Sequence, residues 1–126
     1  MQTATPPRRS TIAVIDDDRL IRYLLNLHLR KAGYDVVVAE DAVAGAHLVL
    51  ERAPDLILCD VEMPYMNGYD FVSALRADPA TRAIPVVFLT VKDDVDHRAR
   101  QLGAGFLRKP ITVDELLLTV AEFAAA

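Results

Sequence analysis

Four places in the chain carry groups able to do chemistry: the acidic run Asp16-Asp17-Asp18, then Asp60, Thr90 and Lys109. Each follows a short strand-forming run, at residues 12–15, 56–59, 86–89 and 106–108. Adjacent carboxylates repel. At an effective dielectric near 20 the cost is roughly 4 kcal/mol per pair at 4 Å before screening. A fold that keeps them at the end of a buried segment is expected to neutralise them. Carboxylates gathered from two strands form a hard, oxygen-rich site. Such a site suits a Mg²⁺-like cation, bound through one or two carboxylates plus waters and a phosphate oxygen. Lys109 would add a fixed positive charge and Thr90 a hydroxyl donor. A nucleophile, a metal, a cation and a donor are what phosphoryl transfer requires. A carboxylate can itself be the nucleophile, and Asp60 is the best placed, because it stands alone at the end of its run.

That chemistry needs elements that bring the four places together. Residues 12–15, rich in β-branched side chains, read as a buried strand. Residues 19–32 repeat apolar positions at helical spacing (Leu20, Leu24, Leu27 and Ile21, Leu25) and stop at Gly33. Further strands are expected over 34–39, 56–59, 86–89 and 106–108. Further helices are expected over 42–52, 69–77, 93–102 and 113–125. Asp18, Asp41 and Thr112 stand where helix caps belong. Continuous apolar strands alternating with helices predict a parallel sheet covered on both faces. Right-handed crossovers then put every strand's carboxyl end on one edge, where open α/β sheets bind ligands. Asp16, Asp17, Asp60, Thr90 and Lys109 should therefore face one crevice.

The bulk properties narrow the function. The chain has 126 residues, enough for one domain. Apolar residues make up 52% of it, so a core can form. A net charge of −4 argues against nucleic acid or an anionic membrane as the main partner. No apolar run is long enough to span a bilayer, and no basic recognition helix is present. The one cysteine, Cys59, excludes an internal disulfide and points to a reducing compartment. On a strand its thiol should face away from Asp60, as a small buried hydrophobe. His28, His47 and His97 lack metal-ligand spacing. Residues 1–10, polar with Pro6-Pro7-Arg8-Arg9, are expected to be a flexible arm ahead of a domain at 11–126.

The set Ile15-Asp16-Asp17, Leu58-Cys59-Asp60-Val61-Glu62-Met63-Pro64 with Asn67-Gly68, Leu89-Thr90 and Lys109-Pro110 resembles the receiver domain of two-component response regulators. Each motif alone is weak. Their joint occurrence in order, each at a strand end, is specific. The resemblance covers the chain from about Thr11 to Phe123. It implies a doubly wound, flavodoxin-like (βα)5 fold with a five-stranded parallel sheet in the order 2-1-3-4-5.

The same resemblance implies roles. Asp60 would be the phosphoacceptor. Asp16, Asp17, Asp60 and the backbone carbonyl of Glu62 would hold Mg²⁺. Thr90 and Lys109 would assist the transfer. Thr90 and Phe106 would form the switch that alters the face of helix four, strand five and helix five, and Pro110 would follow a cis peptide. The donor would be a phosphohistidine on a sensor histidine kinase or a histidine phosphotransfer protein in the cytoplasm. Such a domain catalyses its own phosphorylation and dephosphorylation without being a dedicated enzyme. Its output would go to a downstream protein or to an effector domain absent from this chain, and a homodimer is compatible with it. The end at Ala124-Ala125-Ala126 fits a stand-alone regulator and equally a receiver cut from a longer chain.

Glu62, Val91 and Lys92 flank the site and are read as tuning residues. Val91 stands where the family usually has a smaller residue. A Glu62–Lys92 pair could cover the phosphoryl group against water. Against a flavodoxin-like nucleotide binder stands the lack of a phosphate-cradling loop after the first strand. A phosphatase acting on other molecules would need a second acid–base group, for which Glu62 is the candidate. The remaining alternative is a receiver fold kept as an interaction or dimerisation module without phosphorylation. Gly68 is expected to permit a turn conformation that other residues resist.

Overall fold

The computed structural model describes residues 9–91, 97–102 and 105–124. The elements alternate: β1 (Thr11–Ile15), α1 (Arg19–Lys31), β2 (Asp35–Ala39), α2 (Ala42–Arg52), β3 (Leu56–Asp60), α3 (Gly68–Ala77), β4 (Val86–Thr90), α4 (His97–Gln101), β5 (Gly105–Arg108) and α5 (Val113–Ala124). The strands form one parallel sheet in the order β2-β1-β3-β4-β5. This is the α/β fold and strand order expected from the sequence.

Strand alternation divides the core into two layers. Ile12, Val14, Leu56, Leu58, Val87, Leu89 and Leu107 point to one face, where α1 (Leu25, Leu29) and α5 (Leu116, Val120, Ala124) cover them. Ala13, Ile15, Ile57, Cys59, Val86 and Phe88 point to the other, under α2 (Ala42, Val49), α3 (Phe71, Val72, Leu75) and α4 (Ala99). Strands β1, β3 and β4 are buried on both faces, which is why they read as continuous apolar runs.

The caps follow their residue types. Asp18 accepts from the backbone N–H of Leu20 at 2.9 Å and of Ile21 at 3.3 Å, and Asp41 accepts from Ala44 at 2.8 Å. Thr112 Oγ1 accepts from the Glu115 N–H at 3.2 Å. Gly33 leaves α1 with φ +99°, a conformation that side chains resist. Ser10, at the end of the expected arm, accepts from the Asp35 N–H at 3.0 Å. The rest of that arm, residues 1–8, lies outside the described residues, as do residues 93–96 of the helix expected over 93–102.

Candidate functional site

Strand parity brings the charged groups together. Asp16 continues the alternation of Ile12 and Val14, Asp60 that of Leu56 and Leu58, and Lys109 follows Leu107 by two. All three extend past the carboxyl edge towards the side covered by α1 and α5. Lys109 Nζ stands 2.8 Å from Asp16 Oδ2 and 3.4 Å from Asp60 Oδ1. Asp16 is fully buried and Asp60 nearly so. Asp16 Oδ1 accepts the Asp18 N–H at 2.9 Å, and Asp60 Oδ1 accepts the Glu62 N–H at 3.3 Å. Arg22 in α1 donates to the backbone carbonyl of Asp16 at 2.7 Å and pins the start of the acidic run. Above these groups opens a cleft of about 250 Å³ lined by Asp17, Asp18, Asp60, Val61, Glu62, Thr90, Val91 and Lys109.

The charges do not balance. Asp16, Asp17 and Asp60 each offer a carboxylate oxygen within 4.8 Å of the others. Lys109 is the cation recorded in contact with them. Burial, reinforced by the Asp16 charge and only partly opposed by Lys109, pushes the Asp60 carboxyl up to about 7. Burial alone would lower the Lys109 ammonium, but Asp16 and Asp60 outweigh it, so its pKa is raised and it stays protonated. Asp16 Oδ2 has no donor in hydrogen-bonding geometry among the described residues, although the ammonium lies close by. Three hard oxygen donors, an excess of negative charge and an open cleft are a donor set that fits Mg²⁺.

Residues 12–121 match the family of response regulator receiver domains. The chain belongs to that family. It is 35% identical over 112 residues to Protein PilH of Pseudomonas aeruginosa, covering 86% of this chain and 93% of that protein. It is 37% identical over 112 residues to the DNA-binding dual master transcriptional regulator RpaA of Synechocystis, covering 86% of this chain and 46% of that one. The chain thus spans about half the length of RpaA and of several other DNA-binding relatives. Among solved structures, a putative response regulator from Chloroflexus aurantiacus superposes with a TM-score of 0.88 at 30% identity, covering 94% of this chain and 100% of that one. The chemotaxis response regulator CheY4 of Vibrio cholerae gives 0.88 at 29% identity, with coverages of 92% and 99%. The fold and the order of motifs are those of a receiver domain of two-component signalling.

The other positions singled out in this receiver domain lie around the cleft or beneath it. Thr90 ends β4, and its carbonyl accepts the Lys109 N–H at 2.7 Å. By parity Thr90 follows Val86 and Phe88, on the face opposite Asp16 and Asp60. Phe106 pairs with Phe88 across β4 and β5 and lies half-buried, its ring 5.9 Å from that of Phe88. Thr90 and Phe106 therefore occupy the α3–α4 side of the sheet. Val91 and Glu62 are exposed at the rim. Lys92 lies outside the described residues, so the Glu62–Lys92 pair does too. The Lys109-Pro110 peptide is cis. Cys59 is buried in the α2–α3 layer, and burial raises its thiol pKa far above the usual range. His47 and His97 are exposed and His28 half-buried.

Gly68 departs from expectation. Its φ is not left-handed; instead a Cβ there would collide with the carbonyl oxygen of Asp60 and reach 3.0 Å from Val61 Cα. Its N–H donates to the Val61 carbonyl at 2.7 Å. The glycine is needed because α3 starts directly against the end of β3. The left-handed residue of this loop is Tyr65, with φ 72° and a fully exposed side chain. Nothing in its residue type announces this. A larger groove of about 500 Å³ between α2 and α3 is apolar, and its carboxylates Asp41 and Asp78 are engaged at backbone N–H groups.

Proposed function

We propose that this receiver domain is a phosphorylation-activated switch whose acceptor is Asp60. The supporting observation is a nearly buried carboxylate beside an ammonium, 3.4 Å away, at the floor of an open cleft. In the transfer, a carboxylate oxygen of Asp60 attacks the phosphorus of a phosphohistidine. The P–O bond forms, the P–N bond breaks, and its electron pair returns to the imidazole nitrogen. Lys109 holds its proton throughout and offsets charge on the acceptor and the phosphoryl oxygens. The Asp16 contact fixes the position of its ammonium. Thr90 supplies a hydroxyl donor at the cleft wall. Asp16, Asp17, Asp60 and the backbone carbonyl of Glu62 are the residues that would hold Mg²⁺. The ion supplies neutralisation of the acidic run and of the phosphoryl charge.

The partner is a phosphohistidine on a sensor histidine kinase or a phosphotransfer protein, met in the cytoplasm. Among the described residues no helix is long and apolar enough to cross a membrane. Output runs through Thr90 and Phe106, which share a face of the sheet with α4. Movement of the Thr90 hydroxyl towards the phosphoryl group frees space for the Phe106 ring. The changed face, at α4, β5 and α5, then presents itself to a downstream protein or an effector domain. Phosphotransfer from a phosphohistidine protein, followed by borohydride reduction and peptide mapping, tests the acceptor. The expected product is homoserine at position 60. Phosphate retained on a histidine of this chain, or no transfer from any donor, contradicts the reading.

A further inference from the structure

The acidic run is held on both sides of Asp17, and by the same residue. The ladder with β2 gives the Asp16 N–H a partner, the Ala39 carbonyl at 3.1 Å, and β2 stops there. The ladder therefore offers the Asp16 carbonyl no donor, although Asp16 is fully buried. A buried carbonyl left without a donor is costly. Arg22, near the start of α1 and half-buried, fills the place: its Nη1 donates to the Asp16 carbonyl at 2.7 Å. The backbone N–H of Arg22 donates to the Asp18 carbonyl at 3.1 Å. Asp17 lies between these two anchored carbonyls.

The three carboxylates differ in what aims them. Asp16 is fixed by its own contacts, with Oδ1 on the Asp18 N–H at 2.9 Å and Oδ2 beside Lys109 at 2.8 Å. Asp60 is nearly buried at the end of β3. Asp17 is exposed, yet offers an oxygen within 4.8 Å of those of the other two. Its direction is set by the backbone that carries it. A peptide group is planar, so a held Asp16 carbonyl fixes the plane of the Asp16–Asp17 peptide. The Asp18 carbonyl, tied to the Arg22 N–H, fixes the far side.

The charge of Arg22 sharpens the point. A guanidinium close to a site for a divalent cation opposes the ion. Among the described residues no carboxylate forms an ion pair with Arg22, so an ion pair does not account for it. We infer that Arg22 is a positioning residue for the acidic run. By holding the Asp16 carbonyl it aims Asp17, and through Asp17 it raises the affinity of the site for Mg²⁺. Being a cation, it is not itself a ligand. The inference rests on the Mg²⁺ reading of the cleft given above.

Titration of the full chain with Mg²⁺ alone, followed by backbone amide NMR, tests it. Arg22→Met keeps the apolar stem and removes the donor and the charge, whereas Arg22→Lys keeps a donor and the charge. Arg22→Met should bind Mg²⁺ about tenfold more weakly than wild type, the usual order for loss of a group that orients a metal ligand. Arg22→Lys should recover most of that loss. Charge alone predicts the opposite sign, tighter binding by Arg22→Met. Because the effect runs through Asp17, Arg22→Met should add little in an Asp17→Asn background. Circular dichroism checks that each variant is folded at the temperature of the titration. Arg22→Gln, too short to reach the carbonyl, serves if Arg22→Met is not, with the same weaker binding expected. Wild-type or tighter affinity in the variant that lacks the donor, or fully additive losses with Asp17→Asn, overturns the inference and leaves the Mg²⁺ site standing. A wild type that takes up no Mg²⁺ removes the metal reading itself, and the inference with it.

Discussion

Two partly buried cations in this molecule are satisfied in opposite ways. Among the described residues Arg76, in the last turn of α3, meets only neutral carbonyls: Ile84 at 2.6 Å, Arg82 at 3.0 Å and Leu102 at 3.3 Å. Burial lowers its pKa. Lys109 meets two carboxylates, and they raise its pKa despite burial. Arg76 ties the loop before β4 and the segment before β5 to the end of α3, and its donors are matched by dipoles that cannot leave. Lys109 sits in a cluster whose negative charge exceeds its own. The first arrangement is finished and serves the fold. The second is unbalanced, and that imbalance supports the proposed binding of a cation and a phosphoryl group.

The contrast is sharpest for transfer rate. Lys109→Met should slow phosphorylation of Asp60 on the order of 100-fold or more, by analogy with the loss of one charge-stabilising donor. Arg76→Ala should leave that rate within about twofold while costing roughly 2–4 kcal/mol of stability, because buried carbonyls lose a charged donor. Rapid-quench phosphorylation and urea unfolding separate the two effects. A slow Arg76→Ala protein of normal stability would erase the distinction.

Next in size is the pH dependence of the metal-free fold. The Asp60 carboxyl is raised to about 7 in the folded chain. Its stabilising contribution is therefore full at acidic pH and is lost as pH rises through about 7. Asp60→Asn should remove that slope and make the metal-free protein more stable than wild type at pH 8 by about 1–3 kcal/mol. Mg²⁺ should recover much of the loss in wild type and little in the variant. Thermal unfolding against pH, with and without Mg²⁺, checks this; parallel curves would mean that Asp60 carries no such strain. The smallest effect concerns the rim. If Glu62 and Lys92 cover the phosphoryl group, Lys92→Ala should speed its hydrolysis a few-fold, whereas a solvated pair is worth little. An unchanged decay rate removes the cover.

Much of this was legible in residue order. Strands buried on both faces must be continuously apolar, so residues 12–15, 56–59 and 86–89 stood out. One crossover handedness then sent Asp16, Asp60, Thr90 and Lys109 to one edge. The capping roles of Asp18, Asp41 and Thr112 follow from local chemistry and needed no tertiary knowledge. What stayed hidden depends on approach between distant segments. Arg76 reads as an ordinary basic residue in a last helical turn, yet its partners lie 6, 8 and 26 residues away. Gly68 reads as a turn glycine, but the constraint comes from the Asp60 carbonyl packed against it. Tyr65 adopts a left-handed conformation that its side chain disfavours. Thr81, buried with its hydroxyl 2.6 Å from the Leu75 carbonyl, gives no sign of burial in a polar stretch.

The switch chemistry proposed for this domain depends on the charge imbalance at Asp60. Intact mass after incubation with a small phosphodonor, for wild type and Asp60→Asn, each with and without Mg²⁺, measures it most directly. One phosphoryl group on wild type alone, and only with Mg²⁺, is the expected result. Equal labelling of Asp60→Asn, or labelling of wild type that ignores Mg²⁺, would contradict it.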